Sequence, residues 1–332
     1  MIRETKKDEK PYISSKDSTF HFSPGATSIK DDGFHDSSAS VFTEWWYFDS
    51  VFDNGYSAQM SLRFLSIVKN RFAIISQRLD IYKDGVLIRH ARKKYYSLKK
   101  FEASRQYPLV KLDKNQVIQG EVDKDGTWIY HLTSKVKDVS ADLVFESCTE
   151  GWKGTNPGGD SWAVILPRAK VKGVLKIKDE EIKVQGIGYH DHNWDVRRAA
   201  AGNHGWFWGK INFDTLTANW AVIFKNRTLG QPILVVNEIN GTYLNIGPKY
   251  LDFIGSSLRK DHGRYIPRHF DLKVNAENII LDVSMDVKHV HHVRRMVKAH
   301  YWRFHLCCKG SITSFGKTQK VNGTQIAEFL ML

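Results

Sequence analysis

The stretch SAQMSLRF, residues 57–64, alternates apolar and polar side chains without a break. Successive side chains of an extended chain point to opposite faces, so the apolar residues of this stretch share one face. The pattern is typical of an antiparallel strand that is buried on one face only. The same period of two recurs at residues 281–288 and at residues 302–306.

Turn signals lie between several such runs. Asp84-Gly85, Asp125-Gly126 and Asn240-Gly241 each separate two strand-like segments, which is the sequence signature of a hairpin. We expect Asp179-Glu180 to turn a further pair of strands. Helical periodicity is nearly absent, and the best candidate for a helix is a short one at residues 195–201.

The length of 332 residues corresponds to about two domains. Many short strands at even spacing are typical of barrels and sandwiches. We therefore predict an all-β protein made of two tandem antiparallel β-barrels with little helix. The predicted division is a polar tail at residues 1–20, one barrel at residues 21–195 and a second barrel at residues 196–332.

The chain is strongly basic, with 49 Lys and Arg against 36 Asp and Glu and a net charge of +13. This balance favours an anionic partner, such as a phospholipid surface, over a neutral one. The basic residues are scattered in short runs, and no nucleic-acid-binding motif accompanies them. We expect contact with an anionic membrane surface and no nucleic-acid partner; a solvated basic surface is the simpler alternative.

Three cysteines, Cys148, Cys307 and Cys308, do not form a disulfide framework. Neighbouring cysteines seldom bridge each other, so a reducing compartment fits the sequence. Residues 1–16 are charged and lack the apolar segment of a signal peptide, and no stretch approaches the roughly 18 apolar residues of a membrane span. We expect a cytoplasmic protein that is peripheral at the membrane.

Aromatic residues reach 12% of the chain and include 10 Trp. Aromatic rings favour strands, so an ordinary β core explains part of this number. Trp and Tyr also combine a large apolar surface with one polar group, which suits the lining of a ligand site. We predict that many of these rings line a barrel interior that holds an apolar ligand.

The run EWWYF, residues 44–48, is bulky on both faces of a strand. One face carries Glu44, Trp46 and Phe48, and the other carries Trp45 and Tyr47. Such a strand must be buried on both sides. A buried carboxylate needs a partner. The simplest interpretation is a core strand in which Glu44 pairs with an arginine.

The run GIGYHDHNW, residues 186–194, divides its polar side chains in the same way. Its two glycines, Gly186 and Gly188, permit the close approach of another backbone or of a ligand. A downstream run, WFWG, puts Trp206 and Trp208 on one side of a strand. If the first run is extended, one face carries Tyr189, Asp191 and Asn193, and the other carries His190, His192 and Trp194.

Alternating histidines on one strand face can ligate zinc, so His190 and His192 carry a metal hypothesis. Such a site needs a third ligand, and the candidates in the sequence are His204 and Asp214. A second group contains His289, His291 and His292. Neither group is a closed ligand set. We therefore predict no metal and histidines that are hydrogen-bonded within a polar network.

Other catalytic motifs are missing. The sequence has no nucleophile elbow for a catalytic serine, and no cysteine has a suggestive setting. Glycine-rich phosphate loops are absent as well. We therefore expect no nucleotide or other cofactor.

Four motifs, taken together and in order, resemble the carotenoid 1,2-hydratase (hydroxyneurosporene synthase) and AttH-like family. They are EWWYF at 44–48, WAVILPRA at 162–169, GYHDHNW at 188–194 and WFWG at 206–209. Tyr301-Trp302 and residues 323–328 fit the end of the family pattern. The resemblance covers about residues 40–330.

This resemblance implies two lipocalin-like barrels and one of several activities. Members include isoprenoid hydratases that act on carotenoids or on geranylgeranyl chains of ether lipids, pericyclases of the Diels–Alder type, and proteins without known catalysis. In the hydratases an Asp in a Tyr-x-Asp setting is the acid, which corresponds to Asp191 after Tyr189. Of the family's His-x-Trp pair this chain keeps Trp162 but has Asp160 for the His, and Asp195 stands where relatives often have Gly.

Hydration of a trisubstituted alkene requires a proton donor and stabilisation of a tertiary cation. We expect Asp191 to donate, assisted by Tyr189, because burial among rings keeps a carboxyl protonated. Tyr189, Trp46 and Trp162 are the candidates that stabilise the cation. A lipid carrier would need no acid, and a pericyclase would need shape and hydrogen-bond donors only. The further predicted substrate-binding rings are Trp45, Tyr47, Trp194, Trp206 and Trp208, and the supporting polar residues are Glu44, His190, His192 and Asn193.

Overall fold

The computed structural model describes most of the chain as two compact units. We call them the N-terminal unit, residues 22–201 and 237–243, and the C-terminal unit, residues 1–21, 202–236 and 244–332. The described residues are 10–16, 20–68, 71–197, 204–224, 226, 228–294, 299–321 and 323–331.

Twenty-six strands and three short 3-10 turns make up the described secondary structure, and these residues contain no α-helix. The 3-10 turns are Ile29–Asp32, Leu98–Lys100 and Pro248–Tyr250. The strands are β1 Tyr12–Ser14, β2 Gly25–Ala26, β3 Phe42–Phe52, β4 Tyr56–Val68, β5 Phe72–Lys83, β6 Val86–Tyr95, β7 Phe101–Ala103, β8 Leu109–Leu112, β9 Asn115–Val122, β10 Trp128–Val136, β11 Val139–Ser147, β12 Trp152–Thr155, β13 Ser161–Ile177, β14 Glu180–Arg197, β15 Gly205–Asn212, β16 Leu216–Phe224, β17 Leu229–Glu238, β18 Tyr243–Asn245, β19 Leu251–Ser256, β20 Arg259–Asp261, β21 Arg264–Ile266, β22 His269–Ala276, β23 Ile279–Arg294, β24 His300–Ser314, β25 Lys317–Lys320 and β26 Thr324–Met331.

The N-terminal unit contains one curled antiparallel sheet. Its strands follow the order β6-β5-β4-β3-β14-β13-β11-β10-β9-β8-β7, and β12 and β2 extend it beside β13. The predicted strand at 57–64 lies within β4, where Met60 pairs with Phe48 and Leu62 pairs with Trp46 of β3. The long strands β13 and β14 pair along most of their length. Since β14 has strands on both sides in the sheet order, the GYHDHNW run lies in the interior of the sheet.

The C-terminal unit contains a closed barrel of nine strands. The ring runs β1-β19-β22-β23-β24-β26-β15-β16-β17 and returns to β1. The closing strand β1 pairs parallel with β17 and antiparallel with β19. The prediction of an all-β protein built on lipocalin-like barrels is therefore confirmed, with one sheet closed and the other curled.

Two elements differ from the sequence prediction. The segment 1–20, predicted as a polar tail, includes β1, which is recruited because an open barrel edge would leave backbone groups unpaired. The predicted helix at 195–201 does not begin at Asp195, since β14 continues to Arg197. A register shift after Asn193 restores backbone pairing with β3. Residues 198–201 lie outside the described part of the chain.

The predicted hairpins are present. Asp84-Gly85 joins β5 to β6, and both residues have positive φ, as the tight hairpin turn requires. Asp125-Gly126 lies between β9 and β10, and Asn240-Gly241 lies between β17 and β18. The turn between β13 and β14 is one residue earlier than predicted, at residues 178–179, because Lys178 adopts the left-handed conformation.

Side chains fill the interior of the N-terminal sheet. Its core contains the apolar residues of β3 and β4 together with Tyr130 and Phe145. A cavity beside Phe48 and Phe145 has a volume of about 10 Å³, roughly the space of one water molecule. The rings of this core therefore pack on one another at that point instead of surrounding a ligand. No helix among the described residues is long and apolar enough to cross a membrane.

The two glycines Gly186 and Gly188 were predicted to admit either another backbone or a ligand, and Gly186 admits a backbone. A Cβ atom at this position would lie 2.2 Å from the carbonyl oxygen of Val51 and 2.7 Å from the Cα of Phe52, both on β3. Gly186 is thus needed for contact with another backbone. Gly188 instead faces a side chain, since its Cβ would lie 2.5 Å from the Phe145 ring.

We predict that Gly186→Ala destabilises the protein by about 1–3 kcal/mol, the usual cost of overpacking, because a backbone carbonyl cannot move aside alone. The midpoint of urea unfolding measures the loss. Gly25→Ala is the matched control, since no atom lies within 4 Å of a Cβ added at Gly25. Equal midpoints for the two variants would contradict the prediction.

Candidate functional site

Strand β14 carries two separate groups of polar side chains on its two faces. The inner face, which we define as the one that packs on the core of the N-terminal sheet, carries His190 and His192. They pair in register with Phe48 and Trp46, respectively. The opposite face, which we call the outer face, carries Tyr189, Asp191 and Asn193, in register with Asp49, Tyr47 and Trp45.

Among the described residues, Tyr189, Trp162 and Asn193 each donate a hydrogen bond to Asp191. The Tyr189 hydroxyl donates to Oδ2 at 2.8 Å, and the Trp162 indole Nε1 donates to the same oxygen at 3.2 Å. The Asn193 amide donates to Oδ1 at 3.0 Å. The residue is only 6% exposed, so these donors replace the water that the carboxyl loses on burial. The predicted acid and its predicted tyrosine are therefore in direct contact.

Two strands place these donors by register. Tyr189 and Asn193 flank Asp191 at the spacing of two residues that puts side chains on one strand face. Trp162 comes from β13, where it pairs with Asn193. Register shifts on either side of Leu166 show extra residues on β13 next to Pro167, which has no N–H to donate to a ladder.

Aromatic rings border the Asp191 carboxyl. The rings of Tyr47 and Tyr189 meet edge to face at 6.2 Å between centroids. Trp162 packs edge to face on Trp152 at 5.0 Å. The Tyr47 hydroxyl donates to Asp49 at 3.0 Å, so this ring has a fixed orientation. The outer face thus carries two buried carboxyls, Asp191 and Asp49, together with aromatic rings.

The inner face holds an ionic network that is fully buried. His192 lies between two carboxylates, with Nε2 at 2.9 Å from Glu44 and Nδ1 at 3.1 Å from Asp32. His190 Nε2 lies 2.9 Å from the other oxygen of Asp32, and its Nδ1 lies 3.0 Å from the Tyr47 carbonyl oxygen. The predicted polar histidine network is therefore present, and Asp32 connects its two rings.

The protonation states follow from these contacts. Burial disfavours the charged form of His192, but hydrogen bonds to Asp32 and Glu44 outweigh it and raise the pKa of His192 to about 9. Burial of Asp32 is likewise outweighed, since the positive charge of His190 and hydrogen bonds to both histidines lower the pKa of Asp32. The pKa of Glu44 is lowered by His192 and His35 against the effect of burial. The network is therefore an imidazolium between carboxylates.

Several rings predicted to bind substrate belong instead to this network. Trp46 stacks on His192 at 4.4 Å, and Trp194 pairs with His35 at 3.9 Å. Both rings contact inner-face histidines, so Trp46 does not adjoin Asp191. The predicted arginine partner of Glu44 is also wrong, because His192 and His35 hold that carboxylate.

The remaining predicted rings divide between the two units. Trp45 lies on the outer face of β3, opposite Asn193. Trp206 and Trp208 lie on β15 of the C-terminal unit and alternate with the core residue Phe207. The Lys210 ammonium lies 5.9 Å from the centroid of the Trp208 ring.

The two positions at which the chain departs from the family pattern are coupled. The Asn156 amide donates to Asp160 at 2.8 Å, and the Ser37 hydroxyl donates to Asp195 at 2.7 Å. Burial raises the pKa of Asp160, and the negative charge of Asp195 raises it further. Asp160, two residues before Trp162, therefore favours its protonated form more than an exposed aspartate does.

The third ligands that the sequence suggested lie in a different unit from the two histidines. His204 and Asp214 belong to the C-terminal unit, whereas His190 and His192 belong to the N-terminal unit. A different trio of His35, Glu44 and His192 places its ligand atoms within 4.8 Å of one another. Both nitrogens of His192 already face hydrogen-bond acceptors, and an imidazolium has no lone pair for a metal. The trio of His35, Glu44 and His192 therefore suits a bound proton better than a metal ion.

The second histidine group is also separated by the strand geometry. His289 and His291 pair with His305 and Arg303, while His292 pairs with the core residue Trp302. The neighbours His291 and His292 therefore point to opposite faces of β23. A single ion cannot be held by all three histidines of this run.

Several buried charged residues that the structure brings together were not identified from the sequence. Asp32 lies at the end of a 3-10 turn, outside any periodic segment. Arg78 and Asp80 form a buried ion pair on β5, and Tyr82 follows at the same spacing of two. In that case polar residues at alternate positions of an apolar strand were a usable signal.

Comparison with known proteins identifies the fold. No protein-family profile and no curated protein sequence matches the chain. A protein described as an AttH from Nitrosomonas europaea has a similar structure, with a TM-score of 0.68 and 15% identity over 92% of this chain and 96% of that one. Kievitone hydratase from Nectria haematococca gives a TM-score of 0.54 and 12% identity over 91% of this chain and 94% of that one. At these identities the similarity establishes a shared fold.

We predict that His192 makes the protein less stable at alkaline pH. Its folded-state pKa of about 9 lies above its ordinary value of 6.5. The bound proton therefore contributes stability that is complete below the ordinary value and is lost as the pH rises through about 9. His192→Gln should cost about 3–5 kcal/mol near neutral pH, because it leaves two buried carboxylates without a cation between them.

Urea unfolding across this pH range measures both effects. His131→Gln, at an exposed histidine on β10, is the matched control and should change neither the midpoint nor its pH dependence. An unchanged alkaline loss of stability in His192→Gln would contradict the assignment.

Proposed function

We propose that the chain is a cofactor-independent hydratase that adds water to a trisubstituted double bond of an isoprenoid lipid. The observation that carries the proposal is the buried Asp191 carboxyl, fixed by Tyr189, Trp162 and Asn193 and bordered by aromatic rings. This arrangement supplies an oriented acid in surroundings that suit an apolar substrate.

In the first step the protonated Asp191 carboxyl gives its proton to the less substituted alkene carbon. The alkene electron pair forms the new C–H bond, and a tertiary cation and the Asp191 carboxylate remain. The Tyr189 hydroxyl can donate or accept a hydrogen bond, so its contact with Asp191 at 2.8 Å suits both forms of the carboxyl. Trp162 and Asn193 hold the carboxyl in place during the transfer.

In the second step water attacks the cation and the resulting oxonium returns a proton to Asp191. The sum of both steps is the addition of one water, and the acid is regenerated. The electron-rich faces of Tyr47, Tyr189 and Trp162 stabilise the cation, at about 2 kcal/mol or more for each desolvated contact. Tyr47 takes the place that the sequence assigned to Trp46, because it shares the outer face with Asp191.

The substrate class rests on the family resemblance and on charge. The resemblance points to isoprenoid hydration, and the net charge of +13 suits substrates presented at an anionic membrane surface. A geranylgeranyl ether lipid, as in hydroxyarchaeol formation, is at least as strong a candidate substrate as a carotenoid. The reason is that Asp160 and Asp195 depart from the pattern of the carotenoid enzymes. The fold similarity to a hydratase agrees with this class of reaction.

Two alternatives make weaker use of the site. A carrier for an apolar ligand has no use for a buried acid. A pericyclase of the Diels–Alder type would use the hydrogen-bond donors of Tyr189 and Trp162 but would not require Asp191 to change its protonation state.

We predict that Asp191→Asn keeps the fold and substrate binding but lowers turnover by about 10⁴-fold. An amide preserves the shape yet cannot protonate an alkene, and general acid catalysis contributes about 10²–10⁴-fold. Single-turnover rates with the purified protein measure the loss. Asp142→Asn, at an exposed aspartate on β11, is the matched control. Normal turnover in Asp191→Asn would transfer the donor role to another carboxyl, with Asp160 the next candidate.

The substrate prediction is tested in hosts that make either precursor lipid, grown in isotopically labelled water. We expect a new lipid that is heavier by one labelled water, and its mass identifies the precursor. Cells that carry Asp191→Asn should lack this product. If both lipids stay unchanged while the purified protein binds them tightly and reversibly, the carrier function replaces the hydratase.

A further inference from the structure

A second cavity lies in the C-terminal unit, whereas the Asp191 motif lies in the N-terminal unit. It has a volume of about 650 Å³, which is within the range of roughly 300–1,000 Å³ for small-molecule sites. All of its lining residues belong to this unit, and the rings of Tyr12, Phe224 and Phe329 form part of the wall. The proposed hydratase mechanism makes no use of this space.

The barrel rings give the cavity a fixed apolar wall. Tyr12 on the closing strand meets Phe224 at 5.4 Å and Phe329 at 5.3 Å, in both cases edge to face. Phe329 also stacks on the fully buried Trp302 at 5.4 Å. These contacts hold the rings in place whether or not a ligand is present, so the wall is preorganised.

A separate hairpin forms another part of the wall. Strands β20 and β21 pair with each other as a two-stranded sheet, and Gly263, Arg264 and Tyr265 of this hairpin line the cavity. Side chains attach the hairpin to the barrel. The Trp302 indole donates to Asp261 at 2.9 Å, and the Tyr12 hydroxyl donates to the Tyr265 carbonyl oxygen at 2.8 Å.

The charges on the cavity wall have one sign. Lys10 and Arg264 are among its lining residues, and none of the described lining residues is acidic. The Nε of Arg264 is buried and has no hydrogen-bond partner within the described part of the chain. A buried guanidinium N–H without an acceptor is costly unless a ligand supplies one. Arginine is also the side chain best suited to bind carboxylates and phosphates.

We propose that this cavity binds an amphipathic anion, a molecule with an apolar chain or ring system that ends in a carboxylate or a phosphate. The apolar part packs against Phe224 and Phe329, and the charged end accepts hydrogen bonds from Arg264. The site is separate from the proposed hydratase site and does not depend on it.

The test uses the full chain and displacement of a dansyl-labelled fatty acid, followed by fluorescence. Dodecanoate, dodecyl phosphate and dodecanol share one chain and differ in the end group. We expect at least one of the two anions to bind about tenfold or more tighter than the alcohol, as a charge-assisted hydrogen bond predicts. The tighter anion identifies the headgroup. Equal affinities for all three compounds, or no displacement by any, would overturn the proposal.

Variants locate the site. Arg264→Gln should weaken anion binding about tenfold and leave dodecanol unchanged, while Leu258→Trp, which fills the cavity, should weaken all three compounds. Arg259→Gln removes the same charge from an exposed position of the same hairpin and should leave affinity within about twofold. Equal losses in Arg264→Gln and Arg259→Gln would show a general charge effect and overturn the assignment.

Further measurements distinguish a loss of anion binding at this cavity from a folding defect and from binding at the proposed hydratase site. Circular dichroism checks each variant, and Lys10→Gln tests the charge contribution if Arg264→Gln does not fold. Asp191→Asn should bind the anions with wild-type affinity. Loss of anion binding in Asp191→Asn would instead place the probe at the proposed hydratase site and refute a second site.

Discussion

A protonated histidine between two buried carboxylates is the interaction on which the N-terminal unit depends. His192, Asp32 and Glu44 are almost completely removed from solvent, so none of the three charges is stabilised by water. Desolvation of this kind is repaid only when partners and hydrogen bonds are complete. The network therefore ties β3, β14 and the 3-10 turn before β3 into one arrangement, because each element contributes one charge.

The same strand that completes this network presents the candidate acid on its other face. Successive residues of β14 point to opposite sides, so fixing His190 and His192 also fixes Tyr189 and Asp191. A catalytic group needs a support that does not move. A strand provides one when packing and hydrogen bonds lock the rotamers of the side chains on its opposite face. The inner network is in this sense the positioning device for the outer carboxyl.

The two units use their aromatic residues differently. In the N-terminal unit, Phe48 stacks on His190 and Trp46 stacks on His192, so rings cover charged groups of the core. In the C-terminal unit, the rings of Phe207 and Phe329 stack at 4.1 Å within an apolar barrel core. A high aromatic content is therefore compatible with two purposes, and rings of the C-terminal core border a cavity of about 650 Å³.

The sequence by itself determined the strand period, the hairpin turns at Asp84-Gly85 and Asp125-Gly126, and the side of β14 on which each polar residue lies. These properties are local, because a pleated strand sends alternate side chains to opposite faces regardless of its neighbours. Only the tertiary structure decided which groups meet. Asp32 reaches His190 across 158 positions of the chain, and β1 closes a barrel whose other strands begin at Gly205. Such contacts depend on strand order and loop paths, which no local pattern encodes, and so the partner of Glu44 and the cavity beside Arg264 became visible only in the folded chain.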